Sequence, residues 1–162
     1  MEVSSDEKFW QEVIDNYYKK YSGIREWHNK LIYEAQSTGR IVIPSGRYYP
    51  IIPDFTKRNP WPLTIIKNYP VQGFGADLVK LARLRARQLL GEVDALLVST
   101  IHDSIVADTR SNQVERVARS LLEAVEDVPR LCKEVWGYDF KLPLTAEVQY
   151  GKNKADMEQF VF

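Results

Sequence analysis

Apolar residues first recur at helical spacing over Phe9, Trp10, Val13, Ile14, Tyr17 and Tyr18. That period predicts a helix from about Asp6 to Lys20 with one apolar face. Ser4 and Glu7, three residues apart ahead of the run, have the layout of a capping box. Ser22-Gly23 breaks the pattern. It resumes with Ile24, Trp27, Leu31 and Ala35 on one face of a second helix, for which Gly39 is a natural stop. The segment RIVIPSGRYYPI then predicts two short strands around a turn at Pro44-Ser45-Gly46.

Residues 50 to 70 hold five prolines: Pro50, Pro53, Pro60, Pro62 and Pro70. Proline lacks an N–H and clashes with the preceding helical turn, so this density predicts mostly loop, with one short helix near Leu63 to Lys67. Phe55, Trp61, Ile65 and Ile66 make the segment too apolar for a flexible linker. A long helix is expected from about Val71 to Leu90, with Phe74, Leu78, Leu81, Ala82 and Leu89 inward and Gly91 at its end. ALLVSTI (Ala95 to Ile101) has the composition of a buried strand, and SIVAD (Ser104 to Asp108) is its partner, with His102-Asp103 at the bend. Asn112 and Glu115 open another capped helix with Val114, Val117, Leu121, Leu122 and Val125 inward. Pro129 suits the first turn of a short helix ending near Gly137, and LPLTAEV (Leu142 to Val148) predicts a final strand. The expected fold class is α+β: helices packed on a small antiparallel sheet, three central strands plus the earlier hairpin, as a single domain over residues 1–162.

Composition adds limits to this picture. A chain of 162 residues suffices for one core. Basic and acidic residues balance at 22 each, so any affinity for a polyanion must come from local clusters. Two are present: Lys57, Arg58 and Lys67 in the proline-rich stretch, and Lys80, Arg83, Arg85 and Arg87 on the long helix. The plainer account of both is a solvated face. The lone Cys132 excludes an intrachain disulfide and a zinc site built from several cysteines. No apolar run approaches the length of a membrane span, and MEVSSDEKFW lacks the basic-then-apolar layout of a secretion signal. A reducing, cytoplasmic setting is expected.

Two segments carry candidate chemistry. In Leu97 to Val106, an apolar strand runs into His102-Asp103 and returns as a second strand. A carboxylate at a tight hairpin bend is held rigidly and faces outward, which suits magnesium: a few hard oxygen ligands, with the other positions left to water and phosphates. The alternative is that Asp103 and Ser104 are ordinary turn residues satisfying nearby backbone. In NYPVQGFGADLVKLARLRA (residues 68 to 86), Asn68 and Gln72 flank the start of the long helix. Such amides both donate and accept, so they can contact base edges or sugars in a minor groove without demanding one sequence. Their alternative roles are helix capping for Asn68 and plain surface for Gln72.

Taken together, the N-x-P-x-Q-G-x-x-A-D segment, its helix and the following His-Asp hairpin resemble the family A (DNA polymerase I-like) DNA polymerases. Upstream, YYKKYSGIREWHNKLIYEAQSTGRIVIPSGRYYPI is similar to that family's turn, helix, strand and basic-turn succession. LPLTAEVQYGKN is similar to its closing strand and tail. The resemblance runs from about Glu7 to Asn153 and implies the C-terminal palm with part of the fingers. It implies template-directed addition of a deoxynucleotide (dNTP) to the primer 3′ end of a DNA primer-template, using two magnesium ions (Mg2+). Asp103 matches the metal ligand of the family's third catalytic motif, and His102 matches the histidine that contacts the primer-terminal nucleotide. Asn68 and Gln72 match amides at the terminal base pair, and Arg47 matches an arginine near the DNA backbone. Asp77 and Lys80 match helix positions with only packing or surface roles.

This sequence departs from the pattern at several points. Ser104 stands where the family usually has Glu, a change that weakens the negative field while leaving a hydroxyl able to hold a metal-bound water. Thr64 stands where an arginine is expected, and Tyr48 follows Arg47 in a turn with fewer arginines than usual. The family's first catalytic motif and its nucleotide-binding helix are not in this sequence. Either a complementary polymerase chain carrying both is therefore expected, as in a split phage polymerase, or this sequence is an excised fragment of a longer one. The alternative is a non-catalytic DNA-binding or scaffold relic of the fold.

Overall fold

A computed structural model describes residues 6–162. The chain divides into two compact units. One takes the described chain up to Val42 together with Tyr48–Pro70; the other is Ile43–Arg47 with Val71–Phe162.

In the first unit, α1 (Glu7–Lys20) opens under Asp6, whose carboxylate accepts from the Lys8 N–H at 2.9 Å. Asp6 thus does the capping; the Ser4 end of the expected capping box lies outside the described residues. The break falls at Tyr21, one residue earlier than expected, and Ser22-Gly23 form the first turn of α2 (Ser22–Thr38). Gly39 stops α2 at φ 70°, a left-handed conformation that costs glycine little. Strands β1 (Arg40–Val42) and β2 (Tyr48–Pro50) pair antiparallel, with Ile41 opposite Tyr49. Leu31, Ala35, Ile41, Ile51 and Ile66 form the core, with Trp61 and Leu63 packed against it. Helix α1 adds no buried residue: Phe9, Trp10, Val13, Ile14 and Tyr17 are all more than two-fifths exposed.

The proline-rich stretch corrects an expectation. Instead of a short helix followed by a separate long one, α3 is continuous over Leu63–Leu90, with Pro70 inside it. Position matters here, not density. Pro60 and Pro62 precede the helix, where a missing N–H breaks nothing, and the Pro62 carbonyl accepts from the Ile66 N–H at 3.0 Å. Only Pro70 removes an interior bond. Residues 63–70 belong to the first unit and the rest of α3 to the second.

In the second unit, β3 (Ala95–Ile101) and β4 (Ser104–Thr109) form an antiparallel hairpin with Ile101 opposite Ser104 and a register shift between Leu97 and Ser99. A 3₁₀ turn (Ser111–Gln113), α4 (Val114–Glu126) and α5 (Val128–Trp136) follow. Two clusters hold the unit together. Leu81, Ala82, Val128 and Cys132 gather Leu78, Ile105 and Phe140 around them. Leu90, Val93 and Val117 gather Ala95, Leu97, Ala107 and Leu121. Helices therefore cover one face of the hairpin, and the α+β class stands. The strand expected to be buried is only partly buried, and on that face alone: Ala95 and Leu97 pack inward, while Leu96 is 68% exposed and Val98 56%.

Three further expectations are corrected. Asn112 does not cap α4; it sits in the 3₁₀ turn, and Gln113 supplies no side-chain cap. Residues 142 to 148 join no ladder. Pro143 lacks a donor there, and pairing begins only with β5 (Gln149–Gly151) against β6 (Met157–Gln159). In place of three central strands plus a hairpin, the described residues carry three separate two-stranded ladders. Pro129 and Gly137 behave as expected: the proline sits in the first turn of α5, and the glycine ends it at φ 68°.

Candidate metal and nucleic-acid site

The β3–β4 turn is built from His102 and Asp103. The apolar residues Ala95, Leu97, Ile105 and Ala107 anchor the strands against helices, so the polar tip has a fixed base. His102 takes φ 52°, the sole positive φ of a non-glycine among the described residues. That conformation is uncommon for a side-chain-bearing residue and turns the chain in the fewest residues. The Ser104 hydroxyl donates to the Ile101 carbonyl at 2.9 Å and closes the turn. His102, Asp103 and Ser104 are all exposed. The exposed Asp103 carboxylate makes no hydrogen bond or ion pair among the described residues.

His102 also lines a cleft of about 170 Å³ together with Ala76, Val79, Lys80, Arg83 and Thr100. The α3 residues of this cleft recur at helical spacing, and Gln72 stands one turn ahead of Ala76 on the same stripe. Gln72 is exposed, as the minor-groove role requires. Asn68 is exposed too and lies in the first unit. Neither amide is bonded to another side chain among the described residues.

Arg47 is engaged. It reaches Asp77 through both Nε, at 3.2 Å from Oδ2, and Nη2, at Oδ1. Ser45 donates to Asp77 Oδ2 at 2.6 Å, and Lys80 Nζ donates to Oδ1 at 3.2 Å. Asp77 is 3% exposed, the one buried charged side chain among the described residues. Burial pushes its carboxyl up, and the hydrogen bonds from Ser45, Arg47 and Lys80 with the Arg47 charge outweigh that and hold it below the usual carboxylate range. Sequence reasoning gave Asp77 only packing or surface roles. The missed signal was its place between Phe74, Leu78 and Leu81, on the stripe that faces inward. Of the basic helix cluster, Arg85 is paired with Asp127 at 2.6 Å, so that cluster is partly neutralised.

The donor set can be tested against magnesium. Among the described residues no three of His, Cys, Asp and Glu gather into a cage. Asp103 offers one hard oxygen ligand on an open face. That fits a single corner of a magnesium site, an ion that usually keeps one or two carboxylates and fills its shell with water and phosphate oxygens.

Comparison with known proteins bears on the family of the whole chain. The model of DNA polymerase family A matches residues 2–156. The thermostable DNA polymerase I of Thermus aquaticus is 29% identical over 147 residues, covering 88% of this chain and 16% of that protein. DNA polymerase I of Bacillus caldotenax is 26% identical over 153 residues, covering 90% of this chain and 16% of that one. For Aquifex aeolicus DNA polymerase I the figures are 28% over 138 residues, 83% and 22%. The chain thus spans about a sixth of the length of the first two relatives. With a family match running over nearly all its residues, this chain belongs to DNA polymerase family A.

Proposed function

We propose that this chain is the C-terminal palm part, with adjoining fingers helices, of a DNA-directed DNA polymerase. The reaction is template-directed addition of a deoxynucleotide to a primer 3′ end. The observation that carries the reading is the His102-Asp103 turn, an exposed carboxylate on a helix-backed hairpin, lying within the stretch that matches the family.

Each residue then has a task set by its place. Asp103 holds one metal position. Magnesium, when bound, supplies positive charge that offsets the charge developing on the reacting phosphate oxygens. His102, fixed by its turn, contacts the primer-terminal nucleotide. Ser104 keeps the turn closed through the Ile101 carbonyl. Gln72 and Asn68 touch the minor-groove edge near the terminal pair, where amides tolerate every base. Arg47 lies near the DNA backbone.

A second metal-binding carboxylate and the nucleotide-binding helix come from polypeptide outside this sequence, in a complementary polymerase chain or in the rest of a longer one. Split replication genes of this kind suit a phage, with the work done in the host cytoplasm. Ser104 in place of the usual Glu favours one other reading, a DNA-binding relic without catalysis.

Co-expression with neighbouring genes followed by primer extension tests the proposal. Extension that needs both this chain and a complementary one supports it. Magnesium-independent DNA binding without extension in any combination replaces it with the relic.

A further inference from the structure

The buried Asp77 is used by none of these roles, yet it organises two cations. Arg47 and Lys80 both donate to its Oδ1, and their side chains remain 45% and 50% exposed. Arg47 spends Nε and Nη2 on the carboxylate, which leaves its Nη1 end without a partner among the described residues. Lys80 spends one of three donors there and also lines the cleft with Arg83, Thr100 and His102. Long cationic side chains on a surface normally sample many rotamers. A buried carboxylate that holds two of them, itself fixed by Ser45, removes that freedom before any ligand arrives. Two cations on one carboxylate also leave a net positive charge facing solvent.

From this geometry we propose that Asp77 is a positioning residue, fixing Arg47 and Lys80 as a paired contact for backbone phosphate of duplex DNA, continued by Arg83 and His102. The proposal rests on the polymerase reading and adds to it the residue that orients the backbone contact. Exposed donors on Arg47, Lys80 and Arg83 suit successive phosphodiesters. The triphosphate of a free nucleotide has the same chemistry, and the experiment separates the two.

The full chain is titrated with a short primer-template duplex, and the dissociation constant is followed against salt for the wild type, Lys80→Gln and Asp77→Asn. Lys80→Gln lowers the slope of log affinity against log salt by about one. Asp77→Asn raises the net charge by one unit, so bulk attraction alone tightens binding. The positioning role instead weakens it several-fold while circular dichroism shows a folded chain. Tighter or unchanged duplex binding by a folded Asp77→Asn overturns the proposal. If that variant does not fold, Lys80→Gln decides: an unchanged salt slope overturns the proposal, and a reduced one supports it. Variants that weaken deoxynucleoside triphosphate binding and spare the duplex overturn the backbone assignment. A wild-type chain with no affinity for duplex at low salt overturns the polymerase reading beneath it as well.

Discussion

Gln72 is exposed and heads the α3 stripe that lines the His102 cleft. If it reads the terminal base pair, its loss has a characteristic signature. Gln72→Ala is expected to weaken discrimination at that pair by about 1–3 kcal/mol, the scale of a lost polar contact to a base. Extension from a matched terminus by the assembled enzyme should survive. Single-nucleotide incorporation on matched and mismatched primers checks this, and equal effects on both would leave Gln72 as ordinary surface. Asp77 makes a different prediction, in pH. Its carboxyl is held below its unfolded value, which is about 3.9. A depressed carboxylate contributes stability that is complete above the unfolded value and is lost as pH falls through the folded one. Acid unfolding should therefore set in below about pH 4 and become shallower in Asp77→Asn. Some acid sensitivity should remain, because hydrogen bonds from Arg130 and Arg85 hold Asp127 low as well. Denaturant midpoints measured from pH 7 downward would show it. These two residues also mark what one sequence gives away. The exposure of Gln72 and the place of Asp103 at the hairpin bend were readable, because polar residues beside glycine, proline and apolar runs mark turns and surface. Asp77 was not, because its role depends on Ser45 and Arg47, some thirty residues away.

Elements follow local pattern where the cause is local. The period of α1 and α2, the glycines ending α2 and α5, and the β3–β4 hairpin were all readable, since each depends on spacing or on one backbone conformation. Gly137 illustrates the rule. It ends α5 at φ 68°, and the next N–H, of Tyr138, reaches back to the Cys132 carbonyl at 3.3 Å. An added Cβ meets no atom within 4 Å, so the cost of Gly137→Ala is conformational and not steric. A loss of about 1–2 kcal/mol is expected, visible as a lower denaturant midpoint with an unchanged slope. Unchanged stability would mean the chain leaves the left-handed conformation at no cost. Elements misread from sequence had non-local causes. Pro70 is carried inside α3, and Ile66, one turn before it, is held in the first unit's core by residues distant in sequence. Residues 142 to 148 have strand composition and no strand, because a strand needs a neighbour to pair with, and composition does not supply one.

At the scale of the whole molecule, apolar surface remains open on both units. Phe9, Trp10, Val13, Ile14 and Tyr17 on α1, and Leu96 and Val98 on β3, are 42% exposed or more. Ladders of two strands leave edges unpaired, and open edges with apolar faces invite association. The isolated chain is expected to self-associate with rising concentration and to bind an apolar dye. Light scattering showing a clean monomer without dye binding would count against that. No helix among the described residues is long and apolar enough to cross a membrane, so these faces do not form a helical membrane span. On the proposed reading they meet polypeptide that completes the polymerase; the chain spans 16% of its Thermus relative.

The central claim is that Asp103 holds metal for a polymerase assembled from this chain and its complement. Primer extension in magnesium by the reconstituted enzyme, with wild-type or Asp103→Asn chain, tests it most directly. Neither chain alone should extend the primer, since on the proposed reading this one supplies a single carboxylate of the required pair. Wild-type reconstitution should extend it. Asp103→Asn, at an exposed bend with no side-chain bond to lose, should melt like the wild type and abolish extension. Near-normal turnover by the reconstituted Asp103→Asn enzyme, or robust extension by the purified chain alone, would contradict the account.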